Sequence, residues 1–463
     1  MSDLSTNLLV AGAGAAGLAA ALAASDRGLE VVVVEAKETF RHGSNTAMST
    51  SMVPAGGSRW QKAKAIDDSP ERFLADVMAK TKGAADPVVA KALTTVAPEL
   101  VAWMTDRCGV PLELVTDFQY PGHSRDRCHT VADRAGRTLH RHLLEEVGKR
   151  PEITTIVPMR LVDVRHDGSS IDSAVVETPD GSREEVGTNA VVLATNGFGA
   201  RPDLVSRHID EIATGMYFGG DGSTGDALAI GEALDADTGF LDAYQGHGSV
   251  ASPHGILVTW ATVMHGAVLL NAEGRRFGDE TAGYSEYAVP VLAQPGGQAW
   301  VVLDERIDRA CRAFRDYQDL LEANAVRWLD DEQSLADLIG APAPVVESSL
   351  AAARAAADGE ARDRFGRTFW EEPLRAPYGA VRVTGALFHT QGGLRVDANA
   401  VVLRNGAPLT GLYAAGGAAV GISGHGSAGY LAGNGLLSAL GLGYLAGNHA
   451  PKIKSTNRGH EPT

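Results

Sequence analysis

Apolar residues fall into two rhythms along this chain, and the changes of rhythm mark its organisation. A short run, Leu8 to Val10, leads into GAGAAG and then LAAALAASDRG, which predicts strand, glycine turn and helix. Val31 to Val34 follows as a β-branched strand closing on Glu35. Residues 61–150 read as helical in three stretches, DDSPERFLADVMAKTKG, PVVAKALTTVAPELVAWMTDRCG and RTLHRHLLEEVGKR, with Asp68-Ser69-Pro70-Glu71 as a helix start. From Ile153 to Val192 the pattern turns to strands, with turns at Asp167-Gly168 and Asp180-Gly181. Ala190 to Gly199, AVVLATNGFG, predicts a buried strand running into a glycine turn. Residues 240–375 are mixed, and the charged, Ala-rich stretch from Asp304 to Glu372 reads as helical and peripheral. From Ala380 the chain is β-like and Gly-rich again, then ends in the small-residue helix GYLAGNGLLSALGLGYLAG and a frayed tail, Lys452 to Thr463.

The first strand, helix and strand form a βαβ unit with phosphate chemistry. Gly12 allows the tight turn, Gly14 lets the backbone approach a pyrophosphate, and Gly17 lets helix pack on strand. The helix N-terminus faces the phosphates, and Glu35 is placed to bond ribose hydroxyls. Nucleotide-binding features stand at both ends of the chain with a different segment between them. The expected fold class is therefore α/β: a discontinuous Rossmann-like cofactor-binding domain (1–238 and 379–463) with an inserted α+β substrate-capping domain (239–378). A ligand would bind at their interface, under the cap.

Composition narrows the function. The 463 residues carry 41 basic and 57 acidic groups, a net charge of −16. That balance disfavours nucleic-acid binding and broad adhesion to anionic membrane. The 54 glycines are spread along the chain and suggest many close backbone approaches, as around a large cofactor. Cys108, Cys128 and Cys311 form no CxxC pair, which predicts reduced thiols in a cytoplasmic protein and no structural metal. Leu4 to Ser25 is uncharged but follows Asp3, lacks Lys or Arg, and is broken by glycines, unlike a signal peptide. Neither it nor Tyr430 to Ala446 predicts a membrane span.

Eight segments carry a family resemblance: GAGAAG with Glu35, GSNTAMSTS (Gly43 to Ser51), ATNGF (Ala194 to Phe198), GDGSTGDAL (Gly220 to Leu228), EGRRFGDE (Glu273 to Glu280), FHTQGG (Phe388 to Gly393), GLYAAGG (Gly411 to Gly417) and HGSAGYLAGNGL (His425 to Leu436). Through them the chain resembles the FAD-dependent fumarate reductase/succinate dehydrogenase flavoprotein superfamily, including its 3-ketosteroid and tricarballylate dehydrogenase branches. The resemblance implies FAD, hydride transfer at the flavin N5, and a small carbonyl or carboxylate substrate with a C–C bond next to that group. It implies cofactor contacts from Gly12, Gly14, Ala15, Ala16, Gly17, Glu35, Ala36 and Lys37, and from Gly43, Ser44, Asn45, Thr46, Ser49, Thr50 and Ser51 over the flavin. Met159, Thr195, Asn196, Gly197, Asp226, Gly416 and Gly417 complete the expected cradle. Gly433, Asn434, Leu436 and Leu437 match the helix start facing the flavin pyrimidine, where the dipole would favour the negative charge of reduced flavin. Asn45 stands where covalently flavinylated members carry histidine, so non-covalent FAD is expected, with His42 nearby. Gly417 stands where the family often has Glu.

Fumarate reductases carry two active-site arginines, one after an RFxNE motif and one in HGANRLGGN. Here Tyr284, four residues after Glu280, and Tyr430 stand at those places, as tyrosines do in 3-ketosteroid dehydrogenases. His389 matches the carboxylate-binding histidine of HTMGG, and His247 more loosely that of QxHPT. The site thus reads as a hybrid. An arginine fork suits a carboxylate, whereas a tyrosine gives one hydrogen bond and suits a ketone oxygen. The expected reaction is α,β-desaturation of a carbonyl compound, or the reverse ene reduction. Tyr284 acts as base, and Tyr430 with the Asn434 N–H holds the carbonyl oxygen. The rival is a fumarate- or tricarballylate-like carboxylate enzyme in which Arg127 or Arg382 supplies the clamp. A non-catalytic flavoprotein, or a subunit passing electrons within a complex, is a third reading. No haem CxxCH or Fe–S cysteine set is present, so an electron donor or acceptor must be external. Tyr120, His123, Arg127 and His129 form a polar cluster expected to be a solvated loop, and His425 lies in a Gly-rich loop that could touch substrate.

Overall fold

The computed structural model describes residues 5–117, 120, 122–166 and 170–452. The turn expected at Asp167-Gly168 and the tail beyond Lys452 lie outside the described residues. The chain is a mixed α/β protein with several sheets.

A six-stranded sheet draws on both ends of the chain. Its order is Val401–Arg404, Ala407–Ala414, Val191–Leu193, Leu8–Ala11, Val31–Val34 and Ile153–Ile156, parallel throughout except at the first pair. Leu9 pairs with Val191 and Val191 with Leu412, so residues separated by hundreds of positions lie in neighbouring strands. The central strands LLVA, VVVV and VVL are wholly buried, as parallel strands covered on both faces must be.

One face is covered by the helix Ala15–Asp26, itself almost entirely buried, which packs against the last helix, Asn434–His449. Small residues bring these helices into near backbone contact. A Cβ on Gly443 would lie 2.2 Å from the Ala16 carbonyl oxygen, and one on Gly447 2.3 Å from that of Ala20. The three helices expected in 61–150 form as Pro70–Lys80, Pro87–Asp106 and Gly136–Val147. Ser69 caps the first, its hydroxyl accepting the Arg72 N–H at 3.2 Å, with Pro70 at the first helical position.

A second sheet is built around the thirteen-residue strand Tyr378–Thr390, flanked by Tyr244–Ala251 and Gln298–Asp304. This strand spans position 379, where the sequence suggested a boundary, and Met216–Tyr217 pairs with it from the earlier segment. The Ala-rich stretch expected to be peripheral is not a surface appendage. Its helices Glu305–Cys311, Arg315–Glu322, Glu332–Ile339 and Ala343–Ala357 bury Ile307, Cys311, Tyr317, Leu320, Leu335 and Leu350 in one core with Val301 and Val381. Apolar side chains at helical spacing outweigh the charged background.

Among the described residues no helix is long and apolar enough to cross a membrane, and no group of three metal-ligating side chains gathers.

Candidate active site

The carboxyl ends of four central strands open into one cleft. Ala11 with Gly12, Val34 with Glu35, Ala194 with Thr195, and Ala415 with Gly416 all line it. That is where open α/β sheets bind ligands.

At one end the lining is a nucleotide cradle. Gly12 has φ 111°, and a Cβ there would lie 2.3 Å from the Ala194 carbonyl oxygen. A Cβ on Gly17 would sit 1.8 Å from the Gly12 oxygen, so Gly17 works by packing and does not line the cleft. Glu35 fastens the loop, one carboxylate oxygen accepting the Ala13 N–H at 2.9 Å and the other the Lys37 N–H at 2.8 Å. Gly14, Ala15, Ala16, Ala36, Lys37, Met159 and Asp226 line this part. Lys37 pairs with Asp221 and Arg160 with Asp226.

The segment 43–50 lines the middle. The Thr46 hydroxyl accepts the Ala15 N–H at 2.8 Å, tying this loop to the first helix. Gly43, Ser44, Asn45, Ser49 and Thr50 line the cleft, while Ser51 turns away with φ 56° and bonds Thr130 at 2.5 Å. The Asn45 side-chain oxygen accepts the Gly220 N–H at 2.5 Å, so this side chain ties two loops together. Asn196 and Gly416 with Gly417 also line the cleft, whereas Gly197 is packed behind on Thr390. Gly417 has a steric reason: a Cβ would lie 2.5 Å from Asn196 Oδ1, leaving no room for a glutamate. The hydroxyls of Thr195 and Ser438, on cleft-lining residues, are buried without a partner among the described residues. Those orphaned groups and the glycine cradle fit FAD.

At the other end the four expected side chains converge. The Tyr284 and Tyr430 rings meet edge to face at 5.9 Å, and His389 meets Tyr430 likewise at 5.8 Å. His247 stacks on Tyr284 at 5.0 Å and on Phe388 at 5.1 Å. Burial pushes both tyrosines well above their ordinary range, so each keeps its proton at neutral pH. Burial likewise pushes His389 down to about 4 and His247 to about 3, so both are neutral.

The tautomers follow from the partners. The Gln391 amide, held by the Ser423 hydroxyl at its oxygen, donates to His389 Nδ1 at 2.9 Å. The Ser249 N–H donates to His247 Nδ1 at 3.2 Å. Each histidine therefore carries its proton on Nε2.

One expectation is corrected. The Asn434 N–H donates to the Leu431 carbonyl at 3.0 Å, and Asn434 does not line the cleft. The backbone N–H that reaches Tyr430 is that of Gly435, which donates to the hydroxyl oxygen at 3.4 Å. The shift follows from Gly433, whose φ of 84° caps the helix and spends the first amide on the preceding turn. Leu436 lines the cleft and Leu437 lies in the core.

The cluster expected to be a solvated loop is buried. Arg127 is held by Asp68 at 3.0 Å and Asp76 at 2.5 Å, His129 bonds the Ser58 hydroxyl, and His123 bonds the Ala432 carbonyl. Only Tyr120 of this group reaches the cleft. Arg382 is exposed on the second sheet, and His425 pairs with Asp242. Neither lines the cleft. Among the described residues the lysines and arginines that do are Lys37 and Arg160, both at the nucleotide end. The opposite end is walled by Tyr120, Phe218, Trp260, Phe314 and Phe388 with Met48, Met52 and Met264. Sequence reasoning did not single out Gln391 or Trp260; the two-residue spacing of Gln391 from His389 was the available signal.

The profile of the family described as "FAD binding domain" matches residues 7–436. The chain belongs to the FAD binding domain family. Fumarate reductases are among its relatives. This member is 28% identical to the NADH:fumarate oxidoreductase of Klebsiella pneumoniae over 97% of its own length. It spans about half of that relative, 48%. Among solved structures it is similar to the open conformation of a flavocytochrome c3 fumarate reductase, with TM-score 0.79 and 25% identity over 96% of this chain and 78% of that one. It also shares its fold with 3-ketosteroid-delta4-(5alpha)-dehydrogenase from Rhodococcus jostii, with TM-score 0.76 and 24% identity over 97% and 98% of the two chains.

Proposed function

We propose that this FAD binding domain family member is an oxidoreductase acting on the CH–CH bond beside the carbonyl of a neutral, largely apolar compound, with FAD held non-covalently. The observation that carries this reading is the uncharged substrate end of the cleft, where tyrosine hydroxyls and an aromatic wall stand in place of a cationic clamp. A carboxylate buried there without a cation would cost several kcal/mol. Residues 1–238 and 379–463 would form the cofactor body, and 239–378 the cap. Asn45, engaged with Gly220, supports non-covalent binding. An external electron carrier completes the cycle, and the reduced state of Cys108, Cys128 and Cys311 is consistent with a cytoplasmic setting.

FAD, when bound, would supply the hydride-accepting or hydride-donating chemistry. The Tyr430 hydroxyl, polarised by the Gly435 N–H that it accepts at 3.4 Å, would donate to the carbonyl oxygen and stabilise negative charge developing on it. Tyr284 Oη would move the α-proton. With its pKa raised, Tyr284 rests protonated and is poised to give that proton, which suits ene reduction; desaturation uses the same groups in reverse. A second reading, a carboxylate substrate, draws on the His247 and His389 Nε2–H donors and on the fumarate reductase relatives.

The test mixes dithionite-reduced protein anaerobically with cyclohexenone, with 4-androstene-3,17-dione, or with fumarate, and follows return of the flavin band. Reoxidation by the enones and not by fumarate is expected. Reoxidation by fumarate alone overturns the proposal in favour of the second reading.

A further inference from the structure

We infer that His247 is a positioning residue for Tyr284, acting through its ring face rather than as a hydrogen-bond donor to substrate. The inference rests on the proposed proton-transfer role of Tyr284. Phe218, Phe388, His247 and Tyr284 form a continuous stack, with successive centroids 4.9, 5.1 and 5.0 Å apart and interplanar angles of 30°, 19° and 25°. Trp260 closes the side, meeting His247 edge-on at 5.6 Å and 86°.

The backbone is built to bring the two rings together. The Gly246 N–H donates to the Ser285 hydroxyl at 3.0 Å, and the Gly248 N–H to the Tyr284 carbonyl at 3.0 Å. His247 thus sits between two residues that zip its strand onto the tyrosine loop. The closeness needs small neighbours: a Cβ on Gly246 would lie 2.7 Å from the Ser285 carbonyl oxygen, too near to fit, and one on Gly248 would be crowded at 3.0 Å from that of Tyr287. From the far side, Lys80 pairs with Glu286, anchoring the same loop to the helix Pro70–Lys80. The Ser249 N–H on Nδ1 fixes the imidazole within the stack. A phenol that must face an α-carbon needs its plane held, and a stacked ring does that without adding a charge.

The two roles predict opposite rankings of substitutions. His247→Phe keeps a stacking ring and loses the donor. His247→Gln keeps a donor and loses the ring, and His247→Leu loses both. Reoxidation of the reduced, FAD-loaded full chain by cyclohexenone is expected to fall by less than about tenfold in His247→Phe. In the ringless variants it is expected to fall by about 100-fold in kcat with little change in KM, as for a reacting group misplaced by about 1 Å. The reverse ranking, His247→Gln milder than His247→Phe, overturns the inference.

A readout free of turnover is the ¹⁹F resonance of Tyr284 in fluorotyrosine-labelled protein, assigned by its loss in Tyr284→Phe. It is expected to stay displaced in His247→Phe and to move toward the free-tyrosine position in His247→Gln and His247→Leu. An unmoved line in the ringless variants overturns the inference. If cyclohexenone does not reoxidise the parent protein, the proposed function fails for that substrate class, and the resonance alone decides the role of His247.

Discussion

A guanidinium offers two donors to the two oxygens of a carboxylate, whereas the Tyr430 hydroxyl, which accepts the Gly435 N–H at 3.4 Å, offers a single donor. In the proposed reaction that donor meets a carbonyl oxygen. Tyr430→Phe should lower the rate of enone reduction by about 100-fold or more, the scale of losing one oxyanion donor. Flavin content and absorbance should be retained, because the hydroxyl serves the carbonyl oxygen and not the cradle; a parent-like rate in single-turnover reoxidation would refute this. That Tyr284, Tyr430, His389 and His247 line one cleft is legible in the sequence because each sits at a motif position. The Asn434 N–H, expected at the carbonyl oxygen, is spent on Leu431 instead. Which amide in a first helical turn is free depends on how the cap folds back, here through the left-handed Gly433 and the Leu431 carbonyl, and no residue type announces that. Arg127 was misjudged for a similar reason: its carboxylate partners Asp68 and Asp76 come from a different helix region.

At the scale of elements, the first βαβ unit was readable because its strands, glycines and acid are consecutive. The strand Tyr378–Thr390 was harder, since its partners at 244–251, 298–304 and 216–217 are chosen by tertiary packing and leave no local mark. The small-residue pattern of the last helix was legible, but its purpose becomes clear only against the helix Ala15–Asp26. Gly443→Val should destabilise the protein by about 1–3 kcal/mol or more, because its Cβ would meet backbone, not a movable side chain. The denaturant midpoint of the FAD-loaded protein measures this. A change within about 0.5 kcal/mol would mean the helices can separate freely.

At the scale of the whole molecule, burial makes the fold sensitive to acid. His123, His129 and His389 are pushed down to about 4 and His247 to about 3 by desolvation, against ~6.5 in an unfolded chain. Between those values the unfolded chain binds more protons than the folded one, so stability is full above pH ~6.5 and falls as pH drops toward 4. Each histidine contributes a slope of up to about 1.4 kcal/mol per pH unit in that window. Asp316, pushed up to about 6 by burial, works in the opposite sense with Asp126 and Glu286, which burial also raises, while His140, His142 and His208, lowered by burial, add to the first effect. Urea midpoints at constant FAD should therefore fall steeply from pH 6.5 to 4.5; flat midpoints across that window would show that these histidines are solvated.

The crossing of the first and last helices also sets a timetable. During synthesis, segments made early generally fold early. Here the helix that opens the phosphate loop is covered by Asn434–His449, and the central sheet takes its Ala407–Ala414 strand from the same late stretch. The ribosome must therefore have made both of those late segments before the cradle can close, and the first-made helix of the cofactor site waits for them before it can hold its ligand.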